Sequence, residues 1–159
     1  MSTRRLTRAL VSLLTGTLTA LGLATVTATP AAADASIKAT ICYDVSSAGS
    51  FVSIAHQAAT IWNNAVPNVT LSNCGSNLRI YQITGGGSYA VRTSLGNGRV
   101  YIDTQQAQQY SPLRIMTHEI GHILGLPDNY NGNCALLMSG GSAGTSCTNP
   151  YPAASEASR

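Results

Sequence analysis

One stretch constrains this chain more than any other: His118-Glu119-Ile120-Gly121-His122-Ile123-Leu124-Gly125-Leu126-Pro127-Asp128. On a helix, histidines four residues apart stand one turn apart on the same face, so both imidazoles can reach one metal ion with Glu119 beside them. Zinc takes nitrogen and oxygen donors in a roughly tetrahedral array, and a catalytic site keeps one position open, so a third protein donor must arrive from beyond the helix. Gly125 is suited to end the helix in a left-handed conformation. Pro127 then drives Leu126 toward an extended conformation, and the chain can return the Asp128 carboxylate to the metal. The predicted metal ligands are therefore His118, His122 and Asp128. Glu119 cannot share the ligands' face, which leaves it free as the general base that takes a proton from attacking water and passes it to the leaving amine. With only 3 His and 15 Gly in 159 residues, chance is a poor competitor: an HExxH arises in a shuffled copy roughly once per thousand tries, and the Gly and Asp lower that further.

The first residues read as a leader. Arg4, Arg5 and Arg8 form a basic segment, residues 9–29 are small and apolar, and Ala31-Ala32-Ala33 offers a cleavage site. The expected organisation is a secretory signal peptide over residues 1–33 and one zinc peptidase domain over 34–159. An uncleaved membrane anchor is the alternative, opposed by the threonines at 15, 17, 19, 25 and 27 that dilute the apolar run. Of the 9 Lys and Arg, three belong to the leader; Lys38, Arg79, Arg92, Arg99, Arg114 and Arg159 then balance the 6 acids Asp34, Asp44, Asp103, Glu119, Asp128 and Glu156. That balance gives no argument for nucleic-acid or membrane partners. The expected partners are protein or peptide substrates of a secreted monomer.

The 4 cysteines, Cys42, Cys74, Cys134 and Cys147, lie after the leader and none has CxxC spacing, which favours disulfides over a second zinc site. Three pairings are possible, and spacing alone does not choose among them. The chain reading favours Cys134 with Cys147, closing a loop around Met138, and Cys42 with Cys74, stapling the first strand to the turn at residues 73–77. Alternation of apolar and polar residues predicts strands over 37–43, 69–71, 78–83, 88–92 and 99–104. A turn is expected over 46–50. Phe51, Ile54, Ala55, Ala58, Ile61, Trp62 and Ala65 form a helical stripe with Ser50 as N-cap, Pro67 closing it, and Trp62 in the core. His56, beside that stripe, is expected at the surface without a role. Gly85-Gly86-Gly87 is a flexible connection, Gly96-Asn97-Gly98 a turn, and residues 105–110 a polar connector. The metal helix begins near Ser111, with Pro112 at its first position and Ile115, Met116, Ile120, Ile123 and Leu124 on its buried face.

With these motifs and the glycine-bearing turn Leu137-Met138-Ser139-Gly140-Gly141 in hand, the chain resembles the metzincin zinc peptidases and, within them, the snapalysin family. Also similar are Ala59-Thr60-Ile61-Trp62-Asn63, Gly87-Ser88-Tyr89-Ala90, Gln108-Gln109-Tyr110 and Cys147-Thr148-Asn149-Pro150-Tyr151-Pro152. The resemblance implies an α+β fold: a twisted, mostly parallel sheet, a backing helix, an active-site helix, a cleft under an edge strand, and a small C-terminal part with the Met-turn. It implies one zinc ion, Met138 packed beneath it, Tyr130 hydrogen-bonding the transition state, and cleavage before an aromatic residue, that is, aromatic at P1'. The chain departs from the family pattern in three places. No acid precedes the metal helix at Ser111-Pro112-Leu113, which counts against bound calcium. No pro-segment is evident ahead of the first strand, and no C-terminal helix is expected after Ser155. The competing reading is a secreted zinc-binding protein with little or no turnover.

Overall fold

The computed structural model describes residues 38–158, and the expected leader lies outside them. Five strands form one sheet: β1 (Ala39–Ser47), β2 (Val69–Ser72), β3 (Leu78–Ile83), β4 (Tyr89–Ser94) and β5 (Asn97–Asp103), in the order β2-β1-β3-β5-β4. The pairs β1 with β2, β1 with β3, and β3 with β5 are parallel; β4 runs antiparallel to β5 and ends the sheet. Among the described residues, three helices, α1 (Val52–Ala65), α2 (Pro112–Ile123) and the one-turn α3 (Ala154–Ala157), accompany the sheet together with three 3-10 turns. This is the α+β architecture that the resemblance implied. The helix α3 corrects the expectation of no helix after Ser155.

Strand alternation decides which face is covered. Leu78, Ile80, Val100 and Ile102 are fully buried, whereas Arg79 and Arg99 on the intervening positions are exposed, so both long helices pack on one face. Trp62 of α1 joins Met116, Ile120 and Ile123 of α2 in that core. Its indole Nε1–H donates to the Thr117 carbonyl at 2.9 Å, which joins the backing helix to the helix that carries the two histidines. Two disulfides, Cys42–Cys74 and Cys134–Cys147, pair as the chain reading favoured. The second closes a segment of 14 residues around Met138 and stabilises it by roughly 3 kcal/mol on the loop-entropy argument.

Local expectations fail at four points. β1 continues to Ser47, past the start of the expected turn, because after an irregularity Ser47 pairs with Tyr81 of β3. Ser50 does not cap α1: residues Gly49–Phe51 form a 3-10 turn, and both the backbone N–H and the hydroxyl of Ser50 donate to Gln82 Oε1 at 2.8 Å. The β4–β5 hairpin turns at Leu95 and Gly96, since Asn97 and Gly98 already pair with Ser94 and Arg92. His56 is half-buried, with Nδ1 at 2.6 Å from the Tyr43 hydroxyl. The connector at 105–110 contains the 3-10 turn Gln106–Gln108.

The Gly85-Gly86-Gly87 connection is held by a buried acid. Asp103, 3% exposed at the end of β5, accepts the backbone N–H groups of Gly85, Gly87 and Gln105 at 2.7–2.9 Å. Burial opposes its charge, but those backbone donors override it and hold the carboxyl below the usual carboxylate range. The stability contributed by a depressed carboxyl is complete above its unfolded pKa, about 3.9, and is lost as pH falls through the folded value. Asp103→Asn is therefore expected to lower Tm at pH 7 and to flatten the fall of Tm below about pH 4. Thermal melts from pH 2 to 7 check this, and a wild-type Tm at pH 7 would contradict it.

Candidate active site

The site grows from the ends of α2. Ser111 caps the start, its Oγ accepting the Arg114 N–H at 3.4 Å, and Pro112 occupies the first turn. At the other end the Gly125 N–H donates to the His122 carbonyl and the Leu126 N–H to the Gly121 carbonyl, both at 3.0 Å. This paired bonding is a Schellman termination, and it needs the positive φ of 105° that Gly125 supplies. The chain leaves α2 at a sharp angle and delivers Asp128 to the two histidines.

Three donor atoms then form a nearly equilateral triangle. His118 Nε2 and His122 Nε2 are 3.2 Å apart, and Asp128 Oδ1 lies 3.3 and 3.4 Å from them. A tetrahedral ion with donors at about 2.0–2.1 Å has edges of about 3.3 Å, so the triangle has the size of a three-ligand zinc face. Carbonyl oxygens orient both rings: Leu126 O lies 2.8 Å from His122 Nδ1, and Leu137 O lies 3.1 Å from His118 Nδ1. An Nδ1–H donated to each carbonyl leaves both Nε2 lone pairs directed inward. Burial first, and then the neighbouring His122, hold the His118 imidazole below its usual pKa and so in the neutral form a metal requires.

Glu119 is 6% exposed and lies beside the triangle. Burial, with Asp128 adding to it, pushes its carboxyl up to about 8 in the metal-free chain; a cation among the donors acts in the opposite direction and favours the carboxylate. His118, Glu119 and His122 also bring one donor atom each within 4.8 Å of one another, so a second, looser donor set exists among the described residues. Tyr130, 69% exposed, stands at the lip of the same cleft. The Asp128 carboxylate beside it favours its protonated hydroxyl. The cleft, about 420 Å³, runs between the β4 residues Tyr89, Ala90 and Arg92 and the segment that carries His118, His122 and Asp128. Behind His118 and Glu119 a smaller cavity of about 120 Å³ opens between α2 and the turn after Met138, with Tyr110, Ile115, Gly140 and Gly141 in its wall.

Beneath α2 lies Met138, 2% exposed, so close to Gly121 that an added Cβ would meet its Sδ at 2.9 Å and Trp62 Cζ2 at 3.1 Å. The backbone around Met138 is gripped by two buried charges that the sequence reading did not single out. Arg114 donates to the Leu136 carbonyl at 2.9 Å, to the Leu137 carbonyl at 3.4 Å and to Ser139 Oγ at 2.9 Å. Glu156 of α3 accepts the N–H groups of Leu137 and Met138 at 2.9 and 2.8 Å. The Asn129 N–H donates to the Met138 carbonyl at 2.8 Å, tying the Asp128 loop to the same turn. A signal for Arg114 was present in the spacing: it precedes His118 and His122 at four-residue intervals, on one face of the helix. Glu156 accepts the Ala153 N–H at the start of α3 at 2.7 Å, a local capping role, but its partners in the Met138 turn are 18 and 19 residues away and have no local signal.

Residues 38–159 match the family model described as the Streptomyces extracellular neutral proteinase (M7) family. The chain is 50% identical over 123 residues to the extracellular small neutral protease of Streptomyces caespitosus, covering 76% of this chain and 92% of that protein. It is 46% identical over 135 residues to the protein of the same name from Streptomyces lividans, covering 83% of this chain but 58% of that protein. With the Streptomyces coelicolor protein, also an extracellular small neutral protease, identity is 46% over 132 residues and covers 61% of that relative.

The grip of Glu156 on Leu137 predicts a measurable effect at a distance. The Leu137 carbonyl orients His118, so Glu156→Ala is expected to weaken divalent-metal affinity about 10- to 100-fold, the scale of outer-shell effects. Competition titration against a chromophoric chelator checks it; an affinity equal to that of the unaltered chain in a folded variant would contradict it.

Proposed function

This chain belongs to the Streptomyces extracellular neutral proteinase (M7) family and is a secreted metalloendopeptidase; from that premise we propose that His118, His122 and Asp128 hold one zinc ion and that Glu119 is the general base. The observation that carries the proposal is the donor triangle with edges of 3.2–3.4 Å, beside which the buried Glu119 carboxylate is left outside the set. In this reading residues 1–33 are a cleaved leader and 34–159 the peptidase domain. Among the described residues no helix is long and apolar enough to cross a membrane. Calcium has no part in the proposal.

Zinc bound there supplies Lewis-acid polarisation and lowers the pKa of water. The chain's own residues do the rest. A peptide laid along the cleft pairs its backbone with the free edge of β4, which fixes direction and register. The Tyr130 hydroxyl donates to the oxyanion that develops at the scissile carbonyl. Glu119 takes one proton from the attacking water and returns it to the departing amine, so no acyl-enzyme is needed. The cavity behind His118, walled in part by the Tyr110 ring and Ile115, receives the side chain that follows the scissile bond, and that ring against it supports a preference for an aromatic residue at P1'.

Casein digestion by the purified protein, with and without a chelator and with zinc restored, tests the proposal. Hydrolysis is expected to disappear with the chelator and return with zinc; none from folded, zinc-loaded protein would overturn it. Glu119→Gln is expected to bind one equivalent of zinc and to lose about 10²- to 10⁴-fold in kcat. Turnover of that variant near the level of the unaltered enzyme would remove Glu119 from its role.

A further inference from the structure

The exposed face of the sheet carries a row of three tyrosines that the proposed chemistry does not use. Tyr81 on β3 and Tyr101 on β5 are paired in register, and Tyr101 pairs with Tyr89 on β4. Their rings stack: Tyr81 and Tyr101 have centroids 5.1 Å apart with planes 17° from parallel, and Tyr101 and Tyr89 are 4.6 Å apart at 20°. Each ring thus covers one face of the next, and the centroids repeat at about the distance between strands, 4.7–4.9 Å. Tyr89 is the last member. It stands on the edge strand, one ring face against Tyr101 and the other directed where, among the described residues, no further strand lies, and it remains 46% exposed. Two positions along the same face, Val91 is 42% exposed. The same strand borders the cleft that holds His118, Glu119 and Asp128.

We propose that Tyr89 is a specificity-determining residue: the free face of its ring receives an aromatic side chain of the peptide substrate, which adds a fourth ring to the Tyr81–Tyr101–Tyr89 stack. The inference rests on the peptidase reading and on a substrate paired antiparallel to β4. In such a pair, the substrate residue directly opposite Tyr89 projects to the same side of the sheet, with its Cβ within about 4.5–5.5 Å. Its neighbours in sequence project to the other side, toward the cleft. The subsite is therefore distinct from the cavity behind His118. It selects a residue on the outward face, and Val91, facing the substrate residue two positions away, favours an apolar side chain there. Stacked geometry distinguishes this subsite from a merely greasy edge: offset-stacked aromatic pairs gain beyond their buried area, and a leucine in place of either ring loses that gain.

Cleavage of a positional-scanning peptide library by the unaltered enzyme, Tyr89→Leu and Tyr89→Phe, each zinc-loaded, tests the proposal. The P1' residue is held constant and every other position is varied between aromatic residues and leucine. The unaltered enzyme is expected to prefer an aromatic residue at one position other than P1', with a kcat/KM ratio over leucine of about 3- to 10-fold. Tyr89→Leu is expected to bring that ratio to about one, and Tyr89→Phe to restore it. Far-ultraviolet circular dichroism is expected to match across the three proteins because the ring is half exposed, while Tyr89→Leu, which gives up the stack on Tyr101, is expected to melt a few degrees lower. An aromatic preference that persists in Tyr89→Leu, or the lack of any such preference in an unaltered enzyme that cleaves the library, would overturn this subsite alone. An unaltered enzyme that cleaves no peptide would overturn the peptidase reading as well.

Discussion

The site depends on one peptide group. In the peptide between Leu137 and Met138, the carbonyl accepts from His118 Nδ1 and from Arg114, while the N–H, that of Met138, donates to Glu156. Both hydrogen-bonding groups of a single buried peptide are thereby committed, one to His118 and the other to a carboxylate from the C-terminal turn. A buried backbone group that loses its partner costs about 1–3 kcal/mol, so this peptide cannot rotate without breaking several bonds at once. His118 inherits that rigidity. The matching bond of His122, to the Leu126 carbonyl, comes from the Schellman turn at Gly125. Two unrelated pieces of backbone thus set the two imidazoles, and the second of them also delivers Asp128.

Charge is arranged around this peptide in layers. Arg114 and Glu156 are both buried and lie on opposite hydrogen-bonding sides of the Leu136–Met138 backbone, taking its carbonyls and its N–H groups respectively. Buried charges are costly unless hydrogen-bonded and balanced, and here each is satisfied by backbone while the other supplies the opposite sign. Farther out, the cleft face carries His118, Glu119, His122 and Asp128, where removal of a cation leaves two acids close together. Burial raises the Glu119 carboxyl to about 8, and the nearby Asp128 charge adds to that rise. A divalent ion at the donor triangle relieves it, which makes the metal part of the site's electrostatic structure as well as its chemistry.

Much of this was legible in the residues because its signals are local. The four-residue spacing of His118 and His122, the helix-ending Gly125 and the extended Leu126 before Pro127 all act within one turn and its exit. The alternation in residues 78–83 and the stripe containing Trp62 likewise announced elements that formed. The failures have a common cause, which is competition from a distant partner. Ser50 looked like a cap, but Gln82 takes its donors. Gly98 looked like a turn residue and is held in the ladder opposite Arg92. His56 found Tyr43 on β1. Glu156 has a local role in capping the Ala153 N–H, but its hold on Leu137 and Met138 exists only once the Met138 turn folds against it.

The central claim is that Asp128, rather than Glu119, completes the donor set, which leaves Glu119 free to move protons. Diffraction from zinc-loaded crystals at the zinc absorption edge tests it most directly. The account predicts one strong anomalous peak about 2.0–2.1 Å from His118 Nε2, His122 Nε2 and one Asp128 carboxylate oxygen, with Glu119 outside bonding distance. A peak bonded to Glu119, with Asp128 turned away, would contradict it.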